Sequence, residues 1–363
     1  MLRVLDTLGF DVRENGDRAL QLLPLIYSFL FAVVSCKALS AMKIKGEALA
    51  LAAALVTFHP TLIILSGSLN NDMLSALFGM LAVYCTLRWC EDKRVMRILP
   101  IALSIGLGMM TKLSVALAAP AVAAVFLYEL VKKDGSVKER LRLVGQYAVF
   151  GAVCVPLGLF FPVRSLVLFG VPLSYVPLLS ESSGQFISVP AARRLLNWLP
   201  FQLASPFTQW IDLGAEYNEF NPVIALWKNA MFDEQEFFPS SITMQSFCTM
   251  LFFSGILLSL LGVWAHAAMW RSKAPFEAKL LLTLTSAVVF GSYIVFCLRF
   301  PHVCTENMRY CVPLIFTSAA SVALCINGGE EKALLPRRFT AAVSGAFCGL
   351  SAFVYTGLMY FSH

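Results

Sequence analysis

Two uncharged runs, Ala48–Thr57 and Met73–Leu87, flank the stretch Phe58-His59-Pro60-Thr61-Leu62-Ile63-Ile64-Leu65-Ser66-Gly67-Ser68-Leu69-Asn70-Asn71-Asp72. Three consecutive amide and carboxylate side chains cannot face lipid, because an ionisable group in hydrocarbon is costly. They must stand where one spanning helix gives way to the next, or line a polar cavity. An Asp at such a junction is placed to act on a membrane-bound substrate.

The apolar runs are not confined to this region. Hydrophobic residues make up 58% of the chain and charged ones 14%, against about 25% charged in soluble domains. Mean hydropathy is +0.73. These values imply an all-α polytopic transmembrane protein and exclude a soluble domain on a lone anchor. The formal charge of +6 does not point to nucleic acid, because the basic residues fall in short clusters between apolar runs. Ten Cys are scattered without metal-ligand spacing, so neither a zinc site nor a disulfide framework is supported. Cys304 and Cys311 are the one pair near a single outer loop, and they are expected to pack unpaired.

About ten spans are expected: Leu20–Met42, Gly46–Ser66, Met73–Trp89, Ile98–Met110, Leu113–Leu130, Val144–Pro162, Met244–Ala267, Leu280–Leu298, Tyr310–Ile326 and Phe339–Phe361. Most approach the ~20 residues that a bilayer requires. Alternate connections carry most of the Lys and Arg. They are Lys43 and Lys45; Arg88, Lys93, Arg94 and Arg97; Lys132, Lys133, Lys138, Arg140 and Arg142; Arg271, Lys273 and Lys279; and Lys332, Arg337 and Arg338. The positive-inside rule makes that side cytoplasmic. Asn70-Asn71-Asp72, Thr111-Lys112, the long connection of residues 163–243 and the stretch Pro301–Arg309 then all lie outside. Within the long connection, residues 191–199 read as amphipathic, with Arg193 and Arg194 turned toward phosphate headgroups.

Each candidate has a plain structural reading beside the functional one. Asp72, with Asn71 before it, is either a helix cap or a catalytic carboxylate. Lys112, between two short apolar helices, either snorkels or binds an anionic lipid phosphate. Arg309 and Tyr310 are either interfacial residues or a phosphate site, since a guanidinium fork matches phosphate oxygens. His59 before Pro60 reads first as a buried kink residue, and Glu234 and Glu236 as a solvated acidic turn. No glycine-rich nucleotide loop, HExxH or Ser/His/Asp pattern is present.

His59-Pro60, the run Ser66–Asp72 and then Gly106-Leu107-Gly108-Met109-Met110-Thr111-Lys112 resemble the multispanning GT-C glycosyltransferases. The bacterial protein mannosyltransferase and aminoarabinose-transferase group is the most similar. Val163-Arg164-Ser165, Leu226-Trp227-Lys228 through Glu234, and Cys304–Tyr310 with Pro313 fit the same pattern. The resemblance implies one membrane domain over residues 1–363, including an extracytoplasmic loop region at 163–243. It implies an inverting transfer of a sugar from a polyprenyl-phosphate donor to a protein, glycan or lipid acceptor outside a bacterial plasma membrane. Asp72 and Asn71 are the matching catalytic positions. Lys112, Arg164, Glu234, Arg309, Tyr310 and His59 are the matching substrate contacts. No cofactor is assigned, and the resemblance leaves room for a divalent metal. The family begins with a further helix and an acidic first outer loop. Met1–Arg18 shows no counterpart, so the chain reads as N-terminally incomplete and its own activity stays open. The rival readings are a transporter or flippase of a lipid-linked glycan, and a non-catalytic membrane partner. Transporters usually carry repeats in matching halves, and none is evident.

Overall fold

The computed structural model describes residues 12–132, 136–173, 175–176, 179–196, 198, 203, 205–207, 220–233, 241–327 and 334–361. Their regular structure is helical: α1 Val12–Ala41, α2 Gly46–Thr57, α3 Pro60–Gly67, α4 Asp72–Glu91, α5 Val95–Thr111, α6 Ala119–Lys132 and α7 Val137–Phe169. These are followed by α8 Ala191–Leu196, α9 Pro222–Phe232, α10 Ile242–Ala268, α11 Phe276–Arg299, α12 Pro313–Asn327 and α13 Leu334–Phe361. Among the described residues, seven helical segments are long and apolar enough to cross a membrane. The number becomes nine if the bent pairs Gly46–Thr57 with Pro60–Gly67 (48°) and Val303–Tyr310 with Pro313–Asn327 (47°) each count once. The fourth expected span, Ile98–Met110, falls in α5, a shorter apolar helix of 17 residues. The all-α, multi-pass reading therefore holds, with seven to nine candidate spans among the described residues where about ten were expected.

The chain divides into two compact units. The first gathers the described residues of Met1–Lys43, Leu62–Leu173 and Pro275–Leu284. Here α4 packs on α1 and α5, and α5 packs along α7. The α4–α5 hairpin is antiparallel, so Asn71 and Thr111 meet at one end while Arg97 donates to the Arg88 carbonyl at the other. Two glycines let α5 come close to its neighbours. A Cβ on Gly106 would lie 2.8 Å from Leu157 Cβ and 3.3 Å from the Cys154 carbonyl. One on Gly108 would lie 2.6 Å from Val115 Cγ1 and 2.9 Å from Phe78 Cβ. Interiors are packed at crystal density, so these contacts fix where the last turn of α5 stands. The basic end is also closed. Trp89 Nε1 donates to Gln146 Oε1 at 2.8 Å, Gln146 Nε2 to the Lys93 carbonyl at 2.9 Å, and Lys93 Nζ pairs with the buried Glu129 at 3.0 Å.

The second unit gathers the described residues of Ile44–Thr61, Ser174–Ala274 and Thr285–His363. In it α2 packs on α12 and α13, and α10 packs on α12, α13 and α9. The α2–α3 break comes at Pro60, which cannot continue the backbone ladder. At the break the Phe58 carbonyl accepts from Ser351 Oγ at 2.6 Å.

Part of the long connection is firmly built. Helix α9 begins with Asn221 as cap and Pro222 at its first position, a pairing that presets a helix start. Asn221 Oδ1 accepts from the Val223 and Ile224 amides at 2.9 and 3.3 Å. Nine of its eleven residues are buried, so this is a core helix rather than an interfacial one. Ile187, Phe220 and Val303 form a small apolar cluster, and backbone bonds join Ile187 to Pro301 and Val303 to Gln185. Arg194 corrects the expected headgroup orientation. It is buried, while Arg193 remains exposed. Its guanidinium reaches the Phe220 carbonyl (3.0 Å), the Cys297 carbonyl (2.7 Å) and Glu306 Oε1 (2.5 Å).

Candidate functional site

In the first unit the junction between α3 and α4 meets the junction after α5. Lys112 has extended backbone (φ −155°, ψ 123°) and ends α5, so its side chain leaves the helix end. Its ammonium pairs with Asp72 Oδ1. The Asp72 side chain is 5% exposed and that of Lys112 22%, so Asp72 is the more enclosed of the two. Beside the pair, Asn71 Nδ2 donates to the Thr111 carbonyl at 2.7 Å. Consecutive residues before α4 thus grip consecutive residues after α5.

The capping alternative takes a different form from the expected one. Asn71 makes no side-chain cap bond. Asn70 Oδ1 instead accepts from the Asp72 amide at 2.9 Å. Both Asn71 and Asp72 are engaged across the hairpin, and Asn70 serves the helix start.

In the second unit Asn307 Oδ1 accepts from the Arg309 amide at 2.9 Å and opens a short 3-10 turn, Met308–Tyr310. The Arg309 guanidinium lies over the Tyr310 ring, 5.3 Å from its centre, with Nη2 3.4 Å from the phenol oxygen. Tyr310 is braced by Phe296, ring centres 5.2 Å apart. Asn307 Nδ2 donates to Asp233 at 2.8 Å. Asp233 caps the end of α9 with φ 61° and ψ −172°. That region is populated almost only by glycine, and a side chain there costs roughly 1–3 kcal/mol.

The structure thus joins Asp72, Asn71 and Lys112 in one cluster, and Arg309 and Tyr310 in another. The two clusters belong to different units. Arg164 sits exposed near the end of α7, its guanidinium 5.9 Å from the centre of the Phe169 ring. His59 lies at the α2–α3 break. Its Nδ1 accepts from the Thr61 amide at 3.3 Å, and its ring stands 5.8 Å from that of Phe347. That is the kink role read first from the sequence. Glu234 and Glu236 lie outside the described residues. Sequence reasoning missed Asp233, one position from Glu234, and the Arg194–Glu306 pair. None of the ten cysteines forms a disulfide, Cys304 and Cys311 included. Among the described residues no group of three or more His, Cys, Asp or Glu is gathered to hold a metal ion. Asp72 Oδ1 already serves Lys112, so the donor set here does not form a cation cage.

Residues 3–160 match the family model described as dolichyl-phosphate-mannose-protein mannosyltransferase. This supports a GT-C-like membrane glycosyltransferase. The match spans His59, Asn71, Asp72 and Lys112, whereas Arg164, Glu234, Arg309 and Tyr310 lie beyond its end. No curated protein and no solved structure was found to match the chain.

Proposed function

We propose that the chain transfers a sugar from a polyprenyl-phosphate donor to a hydroxyl acceptor outside the plasma membrane, with inversion at the anomeric carbon. The observation that carries this reading is the Asp72–Lys112 pair, cross-braced by Asn71 and Thr111. The acceptor oxygen attacks the anomeric carbon, its proton passes to the Asp72 carboxylate, and the bond from that carbon to the phosphate oxygen breaks. A base must be ionised and within reach of the proton it takes. Lys112 pairs with Asp72 at rest and so occupies it. An arriving donor phosphate gives the ammonium a second anion, frees the carboxylate and offsets charge on the leaving group. Separately, in the second unit, Arg309 beside Tyr310 at a turn is read as a lipid-phosphate contact from its place in the resemblance. Sidedness rests on the opposite end of the same unit. Lys93, Arg94, Arg97 and Lys132 gather there, which the positive-inside rule assigns to the cytoplasm.

The test is transfer by the full chain in lipid vesicles, using a panel of radiolabelled polyprenyl-phosphate sugars. Lys112→Met should raise the donor KM and lower kcat/KM by at least about tenfold, the scale of a charge-assisted hydrogen bond. Unchanged kinetics would remove Lys112 from the site. Reporter fusions at residue 70 and at residue 92 should report opposite sides, and a shared side would end the extracytoplasmic reading.

A further inference from the structure

Asp233 stands where two local preferences oppose it. Its φ of 61° with ψ of −172° is backbone that glycine adopts without penalty and a Cβ does not. A carboxylate just past a helix C-terminus also faces the negative end of the helix dipole.

Despite this, the end of α9 is held firmly. The last carbonyls of a helix lack intrahelical partners, and here they find side chains. Ala230 O accepts from Thr61 Oγ1 at 2.9 Å, and Met231 O accepts from the Tyr355 hydroxyl. The Asp233 amide donates to the Asn229 carbonyl at 3.1 Å. From this fixed helix end the Asp233 carboxylate accepts from Nδ2 of Asn307, a residue 3% exposed. The other side of that amide, Oδ1, accepts from the Arg309 amide. Glu306, the residue before, is held by Arg194. Two successive residues are thus anchored from two different elements immediately before the turn that carries Arg309.

We propose that Asp233 is a positioning residue for Arg309, acting through the Asn307 side chain to set the Met308–Tyr310 turn. The proposal rests on the reading of Arg309 as a lipid-phosphate contact. Asp233 itself touches no substrate. Its carboxylate fixes which way the Asn307 amide faces, and that choice decides whether Oδ1 is available to the Arg309 amide. A side chain is retained where glycine would relax the backbone because the anchoring requires an acceptor there.

The test is binding of a polyprenyl monophosphate to the full chain in detergent, with thermal unfolding of each variant measured alongside. Asp233→Gly should weaken binding by about tenfold, the scale of one hydrogen bond to a charged group, with Tm unchanged or raised. Asp233→Asn keeps an acceptor oxygen and tolerates positive φ, so binding should recover to within about threefold, less than the loss of one hydrogen bond. Asn307→Ala should match Asp233→Gly, and it supplies the same answer if Asp233→Gly does not fold. In an Arg309→Ala background, Asp233→Gly should add no further loss, because the two act as one unit. Wild-type binding by Asp233→Gly or Asn307→Ala, with weakened binding by Arg309→Ala, would overturn the positioning role alone. Additive losses would overturn it as well. Wild-type binding by Arg309→Ala would overturn both the phosphate reading and the inference built on it.

Discussion

Two of the ion pairs, Arg194–Glu306 and Asp72–Lys112, illustrate opposite uses of charge in a helical membrane chain. Arg194 and Glu306 are each 1% exposed, and the guanidinium also holds two backbone carbonyls. Asp72 is nearly as enclosed, but Lys112 is 22% exposed. Both pairs oppose the cost of an ion in a low-dielectric setting. The enclosed pair is committed to anchoring its own chain. The other keeps one face open, so an incoming anion can compete for its cation. Between these two pairs, what differs is the enclosure of the cation, not the presence of a charge pair.

Removing one partner of the enclosed pair should have the largest effect. Arg194→Ala leaves Glu306 buried without its counter-charge, at a cost of roughly 3–5 kcal/mol. Thermal unfolding in detergent should show a large fall in Tm or no folded protein. Replacing both residues, as Arg194→Met with Glu306→Leu, should recover most of that loss, since apolar residues of similar volume need no pairing. A mild effect of Arg194→Ala would erase the distinction between the pairs.

Asp72→Asn comes next and should register in activity rather than stability. The swap keeps the shape and removes the charge, so transfer should fall about 10²-fold, in the range of a positioned acid–base group. Folded yield should stay within error, because Lys112 can turn to water. Wild-type turnover in a well-folded Asp72→Asn protein would reduce the pair to a helix pin.

Arg309→Ala against Arg193→Ala probes the second cluster. Donor binding should fall by about one order of magnitude for Arg309 and little for the exposed Arg193, the scale of one charged hydrogen bond. Equal losses would indicate general surface attraction. The smallest effect belongs to Asn71→Ala, which deletes one bond to the Thr111 carbonyl. A loss of about 1 kcal/mol in stability, with transfer reduced by no more than about tenfold, would fit a brace beside the carboxylate. A loss as large as that of Asp72→Asn would make Asn71 a direct participant.

The spans were legible in the sequence because lipid imposes one rule on every residue in contact with it, and apolar runs record it directly. The meeting of Asp72 with Lys112 was half legible. Both residues were singled out as polar breaks on one side, but their pairing depends on how closely α4 and α5 pack. The adjacent Arg193 and Arg194 were not separable in the same way. Nothing local distinguishes them, and the partner that decides their fates lies 112 residues away. Asp233 was passed over for Glu234 because backbone sign is invisible in a run of acidic residues. The cap signal Asn221-Pro222 was present and would have identified α9, had the many prolines of that stretch not suggested a loop.

The crowding around Gly106 and Gly108 has an inherited consequence. Neither glycine carries a reactive group, yet a single added methyl at either position meets atoms that cannot all withdraw. Gly106 faces a carbonyl of α7, and Gly108 faces the Cβ of Phe78 on α4. The two codons are therefore sites where chemically bland alleles, such as alanine or serine, displace Lys112 without altering any group that reacts. A mutational scan scored by transfer should rank these positions among the least tolerant of this segment, beside the charged residues that α5 carries into place.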